Sequence, residues 1–286
     1  MAATHELQLA AATEAQARRA AQAAIADVHR IEAKYSRYRS DSVLSRINAG
    51  AGGTAVPIDE ETAALLAYAD RCHVQSGGAF DITSGVLRRA WDFRRDPPVL
   101  PDAATLAAAC ARIGWQRVEW DAHSVRLPEA GIELDLGGIG KEYAADRAAA
   151  ILAGEGLAHA LVNLGGDVRA LGPQPDGRPW RVGLVHPRLA GGVIGEVDLV
   201  DAAVATSGDY ERYIVVDGRR YCHILDPRTG WPVDHWQSAS VVAPLCTLAG
   251  TLATIAMLRA DAEDFLCGEA VRFLLVDRDG GMHAGG

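Results

Sequence analysis

Apolar residues recur at helical spacing through much of the first half of the chain. In residues 11–35 they are separated by Glu, Arg and Asp, which predicts a long amphipathic helix. Three acids at 59–61 predict the start of a second helix that runs to about residue 74. Shorter helices are predicted at 43–47 and, capped by Asp102, up to about residue 114.

The second half of the chain is rich in short alternating segments of the kind that form strands. Strands are predicted here at 160–163, 168–171, 180–186, 195–200, 202–206, 212–216, 220–225, 237–243 and 271–276. Three more are predicted in the first half, at 6–9, 117–121 and 124–127. The Asp217-Gly218 pair predicts a hairpin with a type I′ turn. A run of small residues at 247–258 predicts a buried helix, and a short helix is predicted at 261–267. The pattern indicates mixed α and β structure, with helices packed against a largely antiparallel sheet. No clear linker divides residues 1–286, whose length fits one large domain or two closely joined ones.

A glycine-rich turn at 137–141 is the first candidate for chemistry. It joins a predicted strand at 132–136 to a predicted helix at 142–154, and such a turn presents backbone N–H groups to an anion. A P-loop needs a glycine and a Ser or Thr where this chain has Asp135 and Glu142, so the turn is not a P-loop. Glycine spacing alone leaves an anion site and a plain structural connection both open.

Composition excludes several classes of function. The net charge of −9 and the absence of a Lys/Arg stripe argue against a nucleic-acid partner. No apolar run has the length of a membrane span, and no signal peptide is visible. The sequence as written is therefore expected to be cytoplasmic; the alternative is a periplasmic or membrane-anchored protein whose true start lies upstream. The five cysteines, without a C-x-x-C pair, fit a reducing compartment.

Four loops combine glycine with polar residues near predicted strand ends, at 78–83, 163–167, 206–210 and 222–230. Each loop alone is more often a structural turn than a site. Among the nine histidines, His223 is the best candidate for acid–base work, with Asp226 placed to orient it. A single histidine in a strand is more often a core residue, so this candidate stays open. Histidine spacing elsewhere does not favour a zinc site.

Taken together and in order, these loops resemble one family closely, the FAD:protein FMN transferases of the ApbE family. Seven motifs match it: 36–48 for S-x-Y/F…S-x-L-S-x-x-N, 77–83 for G-G-x-F-D-x-T, 91–93 for W-x-F, 135–141 for D-L-G-G-I-x-K, 163–167 for N-x-G-G-D, 207–212 for S-G-x-Y-x-R and 223–230 for H-I-x-D-P-x-T-G. The resemblance extends over essentially the whole chain.

The resemblance implies an ApbE-like α+β fold, with two intimately joined subdomains and a flavin cleft between them. It implies transfer of FMN from FAD to a Thr or Ser of a flavoprotein acceptor, with release of AMP. The FAD-binding residues that it implies are Phe80, Asp81, Thr83, Lys141, Asn163, Gly165, Gly166, Asp167, Ser207, His223 and Ile224. It further implies that His223 is the catalytic base, and that Gly140 (through its carbonyl) and Thr254 bind Mg²⁺.

The chain departs from the family pattern at the metal site. The family's A-D-A-x-x-T helix reads Ala-Gly-Thr-Leu-Ala-Thr at 249–254, so Gly250 replaces the Asp. The family's I-A-K-G reads Ile-Gly-Lys-Glu at 139–142, which makes Glu142 a candidate replacement carboxylate. Since Mg²⁺ binds through only one or two carboxylates, losing one should weaken the site. Two alternatives therefore stay open: an impaired FAD-binding homologue or carrier, and an FAD pyrophosphatase that releases FMN and AMP.

Overall fold

The computed structural model describes residues 4–286, so the first three residues of the predicted domain lie outside it. The described chain forms two compact units. Unit 1 comprises 4–32, Gly137–Gly208 and His235–Gly286, and unit 2 comprises Ala33–Leu136 and Asp209–Asp234. Each unit is therefore built from segments that are distant in sequence.

The α-helices of residues 4–286 are α1 Glu14–Tyr35, α2 Val43–Ala49, α3 Glu60–Gln75, α4 Ala103–Cys110, α5 Gly140–Gly154, α6 Cys246–Met257 and α7 Ala262–Gly268. The strands are β1 His5–Ala10, β2 Val56–Pro57, β3 Glu119–Trp120, β4 Ser124–Arg126, β5 His159–Leu164, β6 Asp167–Leu171, β7 Trp180–Val185, β8 Val193–Leu199, β9 Ala203–Gly208, β10 Tyr213–Val216, β11 Arg219–Cys222, β12 Trp236–Ala243, β13 Arg272–Asp277 and β14 Met282–Gly285.

Unit 1 is organised around one antiparallel sheet. Among the described residues its strand order is β1-β5-β6-β9-β12-β13-β14, with β1 at one edge. Helix α6 packs on β9 and β12, and α5 packs on β5 and β6 and against α6. Three alanines of α5, Ala144, Ala145 and Ala148, have no exposed surface. Small side chains at this face let the backbones of α5 and α6 approach closely.

Unit 2 contains α2, α3, α4 and the small sheets β2-β4-β3 and β10-β11. One of its clusters packs Leu87, Trp91, Leu106 and Ile214, with Trp91 only 2% exposed. The β10–β11 hairpin has positive φ at both residues of its Asp217-Gly218 turn, as a type I′ turn requires.

The predicted cap at Asp102 is confirmed, and Asp59, which was predicted only as an acid at the start of its helix, caps that helix in the same way. Asp59 accepts from the backbone N–H of Thr62 at the start of α3, and Asp102 accepts from that of Thr105 at the start of α4. Helix α4 is shorter than predicted, because after Cys110 the chain continues in tighter turns with N–H groups bonded three residues back.

The predicted strand at 132–136 is wrong. This segment is largely buried, but its hydrogen-bond partners do not form a ladder. Asn48 bonds Leu134 in both directions through its amide group, and the Asp135 N–H donates to the Ile82 carbonyl. Alternating apolar residues therefore indicated burial correctly, but no strand among residues 4–286 pairs with this segment.

Within residues 4–286, none of the helices combines the length and the apolar character that crossing a membrane requires.

Candidate active site

The start of α5 carries a buried cluster of charge. Lys141 Nζ lies 2.7 Å from Asp167 Oδ2, and the Asp167 side chain is almost wholly buried. Burial would lower the pKa of Lys141, but the neighbouring carboxylates of Asp167 and Glu142 outweigh it and raise that pKa. The lysine is therefore a fixed positive charge at the beginning of the helix.

Glu142 follows Lys141 and points into the interface between α5 and α6. Its residue is 7% exposed, and its Oε2 atom has no hydrogen-bond partner among the described residues. Burial raises the pKa of Glu142 well above its usual range, and the nearby Asp167 carboxylate raises it further against the opposing effect of Lys141. A Cβ placed on Gly250 of α6 would lie 2.5 Å from Glu142 Cγ. The glutamate thus fills the space above this glycine.

Asp146, one turn beyond Glu142 on α5, caps the start of α6. Its two carboxylate oxygens accept the backbone N–H groups of Cys246 and Thr247, each at 2.8 Å, and the Thr247 hydroxyl at 2.7 Å. The N-cap residue of α6 is Leu245, whose side chain cannot accept a hydrogen bond. Sequence reasoning missed this role for Asp146. The signal that could have revealed it is a buried helix that begins without a capping side chain of its own.

The predicted metal ligands belong to the two helices that meet at this interface, Gly140 to α5 and Thr254 to α6. Thr254 is one turn after Gly250 on α6, and its hydroxyl is 3.0 Å from the Ser207 hydroxyl on β9. Gly140 is the first residue of α5. No group of three or more His, Cys, Asp or Glu side chains suited to a metal occurs among residues 4–286. The available donors are instead hydroxyl, carbonyl and carboxylate oxygens.

The Asn163 to Asp167 segment forms the β5–β6 hairpin. Gly165 and Gly166 both have positive φ, and Leu164 pairs with Asp167, which makes a two-residue type I′ turn. The Asn163 side chain accepts from the Gly166 N–H at 2.9 Å. The predicted binding residues of this loop therefore stabilise the turn that places Asp167 beside Lys141.

In unit 2, the predicted residues Phe80, Asp81 and Thr83 form a tightly bonded loop. Asp81 accepts from the N–H and hydroxyl of Thr83 and from the Trp115 N–H. The Thr83 oxygen also accepts from the Gly114 N–H, and this residue has no exposed surface. Thr83 therefore stabilises the loop through buried hydrogen bonds, and it offers no surface to a ligand.

His223 lies directly after β11, which ends at Cys222, whereas the predicted strand at 220–225 included it. Its Nδ1 is 3.2 Å from the Arg212 carbonyl oxygen, and its backbone N–H donates to the same oxygen at 3.0 Å. A carbonyl only accepts, so a neutral ring must carry its proton on Nδ1 and its lone pair on Nε2. The backbone of Arg212 thus selects the tautomer that can act as a base.

The loop after His223 is anchored within unit 2 by a hydrogen bond from Trp91. Ile224, the other predicted binding residue here, accepts from the Val233 N–H through its carbonyl at 3.0 Å. The Trp91 indole donates to the Gly230 carbonyl at 2.8 Å, and Gly230 has positive φ. Asp226, which was expected to orient His223, accepts from the backbone and guanidinium of Arg228.

The predicted residues are thus distributed over both units. Unit 1 contains Lys141, Asp167, Asn163, Gly165, Gly166, Ser207, Gly140 and Thr254; in this unit Lys141 contacts Asp167, Asn163 contacts Gly166, and Ser207 contacts Thr254. Unit 2 carries Phe80, Asp81, Thr83, His223 and Ile224.

A family model described as the ApbE family matches residues 1–267. An FAD:protein FMN transferase of Treponema pallidum (strain Nichols) is 39% identical over 236 residues, which are 77% of this chain and 65% of that protein. The chain therefore spans slightly less than two thirds of the length of this relative.

Two solved structures are similar over almost the whole chain. The ApbE protein of Thermotoga maritima has a TM-score of 0.89 at 34% identity, covering 98% of this chain and 93% of its own. The flavinyl transferase ApbE of Pseudomonas stutzeri has a TM-score of 0.87 at 29% identity, covering 99% and 92%.

Proposed function

This chain belongs to the ApbE family, and we propose that it is an FAD:protein FMN transferase. It would move FMN from FAD to a Thr or Ser hydroxyl of an acceptor flavoprotein and release AMP. The observation that carries the proposal is the similarity of nearly the whole chain to a solved flavinyl transferase. The mixed fold of helices on an antiparallel sheet agrees with that similarity.

The reaction exchanges one phosphorus–oxygen bond for another. The acceptor hydroxyl oxygen bonds to the phosphorus of the FMN half, and the bond from that phosphorus to the bridging oxygen breaks. The electron pair leaves with AMP, and the hydroxyl proton goes to His223 Nε2. The Arg212 carbonyl supports this role because it holds the ring proton on Nδ1. A base in this position accounts for roughly 10²–10⁴ in rate.

The start of α5 is suited to a pyrophosphate. Lys141 supplies a fixed positive charge, and the first N–H groups of the helix add the positive end of its dipole. Ile139, the N-cap residue, has an apolar side chain that cannot occupy these donors. The negative groups of FAD would therefore meet both a cation and the positive end of the helix dipole.

Mg²⁺, when bound, would neutralise pyrophosphate charge and stabilise the departing AMP. The residues fit a hard cation, since they supply the Gly140 carbonyl, the Thr254 hydroxyl and a buried carboxylate oxygen on Glu142 that has no partner among the described residues. The family Asp is absent at Gly250, but a carboxylate is present in the space above it.

The test uses FAD, Mg²⁺ and an acceptor protein that carries a D-x-x-[ST]-G-A-[ST] segment. The expected result is covalent flavin fluorescence on the acceptor in a denaturing gel, with none on an acceptor whose target Thr is replaced by Val. Release of FMN and AMP without labelling of the acceptor would show that the chain is an FAD pyrophosphatase and not a transferase. Bound and intact FAD would replace it with a carrier.

A further inference from the structure

At the interface between α5 and α6 in unit 1, the side chain of a glutamate on one helix lies over a glycine on the other. Glu142 in the first turn of α5 lies over Gly250 of α6, with its Cγ, Cδ and Oε1 atoms 2.5, 3.1 and 3.1 Å from the position of a Cβ on that glycine. Side chains at both positions would collide. The family pattern has Asp at 250 and Gly at 142, and this chain has a carboxylate and a glycine at the opposite positions.

The charges around Glu142 do not balance. Two buried carboxylates, Glu142 and Asp167, share one ammonium group, that of Lys141 at 2.7 Å from Asp167. The nearby Asp146 is already engaged by the start of α6 and lies 3.5 Å from the Arg169 guanidinium. An ionised and buried Glu142 therefore needs one more positive charge, and its Oε2 has no hydrogen-bond donor in the described part of the chain.

The contacts along the interface show which groups face each other. Asp146 bonds Cys246 and Thr247, and Glu142, one turn earlier on α5, lies over Gly250, about one turn later on α6. The two helices therefore run antiparallel here. Thr254 lies one further turn along α6, towards the end of the interface at which α5 begins with Gly140.

We propose that Glu142 is the carboxylate ligand of a divalent-cation site that the Thr254 hydroxyl and the Gly140 carbonyl complete. The carboxylate comes from α5 instead of α6, and Gly250 provides the space that it occupies. The proposal deepens the proposed function and rests on it for the identity of the cation as Mg²⁺. All three donors are oxygens, as a hard cation prefers, and a single carboxylate is typical of a Mg²⁺ site that also uses substrate phosphates.

The competing explanation is a shared proton. A proton on Glu142 could bridge to Asp167 and remove the excess charge without any metal. The two explanations differ in what Glu142→Gln does. Gln keeps the size and a hydrogen-bond donor, so it satisfies a shared-proton arrangement, but its neutral amide is a poor Mg²⁺ ligand.

The experiment titrates Mn²⁺, as a probe for Mg²⁺, into the full chain and follows free Mn²⁺ by electron paramagnetic resonance, with and without FAD. The variants are Glu142→Gln, the exchanged pair Glu142→Gly with Gly250→Asp, and Glu196→Gln as a matched control on the exposed surface of β8. Thermal unfolding of each protein with and without Mn²⁺ shows whether the variants fold.

Glu142→Gln is expected to weaken Mn²⁺ binding at least about tenfold and to lose the Mn²⁺-dependent rise in Tm. The exchanged pair is expected to return both to within about threefold of the parent protein, and Glu196→Gln to leave both unchanged. Parent-level Mn²⁺ binding by Glu142→Gln, or no Mn²⁺ binding by the parent protein, overturns the proposal. Metal binding through Glu142 without any FMN transfer would instead overturn the proposed function and leave the site in place.

Discussion

Glu142 and Gly250 lie in contact across the α5–α6 interface, and the glutamate side chain occupies the place that a side chain at 250 would take. The contact joins the first turn of one buried helix to the middle of another. Unit 1 therefore has a carboxylate at this point, although position 250, where the family pattern has Asp, is a glycine.

Gly250→Ala is expected to destabilise the protein by about 1–3 kcal/mol, because the new methyl group overlaps Glu142 Cγ in a packed interface. Urea unfolding measures this change. Adding Glu142→Gly should recover part of the loss, so that the two changes are not additive.

Gly154→Ala is the matched control, since a Cβ at this helical position meets nothing within 4 Å. It is expected to stabilise the protein by up to about 1 kcal/mol through helix propensity. Equal effects of Ala at 250 and 154 would contradict the steric account.

The limits of sequence reasoning are visible at this same interface. The Ala-rich and small-residue patterns predicted α5 and α6 correctly, because the small apolar side chains that allow a helix to be buried belong to the helix itself. The acid at 142 reads as a favourable first-turn residue in the dipole field. Its burial depends on a gap in a distant segment, and local periodicity carries no information on that pairing.

The candidate site shows the same division. A type I′ turn requires positive φ, which Gly165, Gly166 and the Asp217-Gly218 pair adopt readily. These turns could therefore be predicted from residue type. The segment 132–136 was misjudged because its backbone partners, Asn48 and Ile82, come from remote loops. The tautomer of His223 likewise depends on the Arg212 carbonyl, which no motif specifies.

Asp146→Ala is expected to cost about 1–3 kcal/mol, because the change leaves the first N–H groups of α6 and the Thr247 hydroxyl without their acceptor. Chemical denaturation measures the loss. Asp279→Ala, at an exposed turn, serves as the control and is expected to stay within about 0.5 kcal/mol. A loss at 146 no larger than at 279 would show that the cap is unimportant.

Stability should fall with acid through Asp59. Burial would raise the pKa of Asp59, but hydrogen bonds from Lys34 and Thr62 outweigh it and lower the pKa to about 2. The unfolded chain, with an ordinary Asp pKa of about 3.9, therefore takes up the proton first as the pH falls. This contribution is complete above about pH 5 and is lost progressively towards pH 2.

Asp59→Asn isolates the charge, since Asn still caps the helix. The variant is expected to be less stable than the parent by a few tenths to about 1 kcal/mol at pH 7, and the difference should vanish near pH 2. Urea titrations at several pH values check the trend; a difference that grows with acid would reverse the sign and refute the assignment.

His223→Gln is expected to reduce FMN transfer by roughly 10²–10⁴ while FAD affinity changes little, because the ring acts on the acceptor proton. Stopped assays of labelled acceptor and equilibrium FAD binding separate the two effects. His123→Gln, at an exposed position of unit 2, is the matched control and should retain full transfer. Comparable activity of the two variants would remove His223 from the reaction.

An FAD:protein FMN transferase cleaves FAD and bonds its FMN half to the acceptor protein. The most direct test of this activity is to count AMP by chromatography and acceptor-bound FMN by intact-protein mass spectrometry in the same reaction with Mg²⁺. If this chain is such a transferase, one AMP is expected for each FMN found on a single Thr or Ser of the acceptor. AMP formed with an equal amount of free FMN and an unmodified acceptor, or FAD recovered intact, would contradict it.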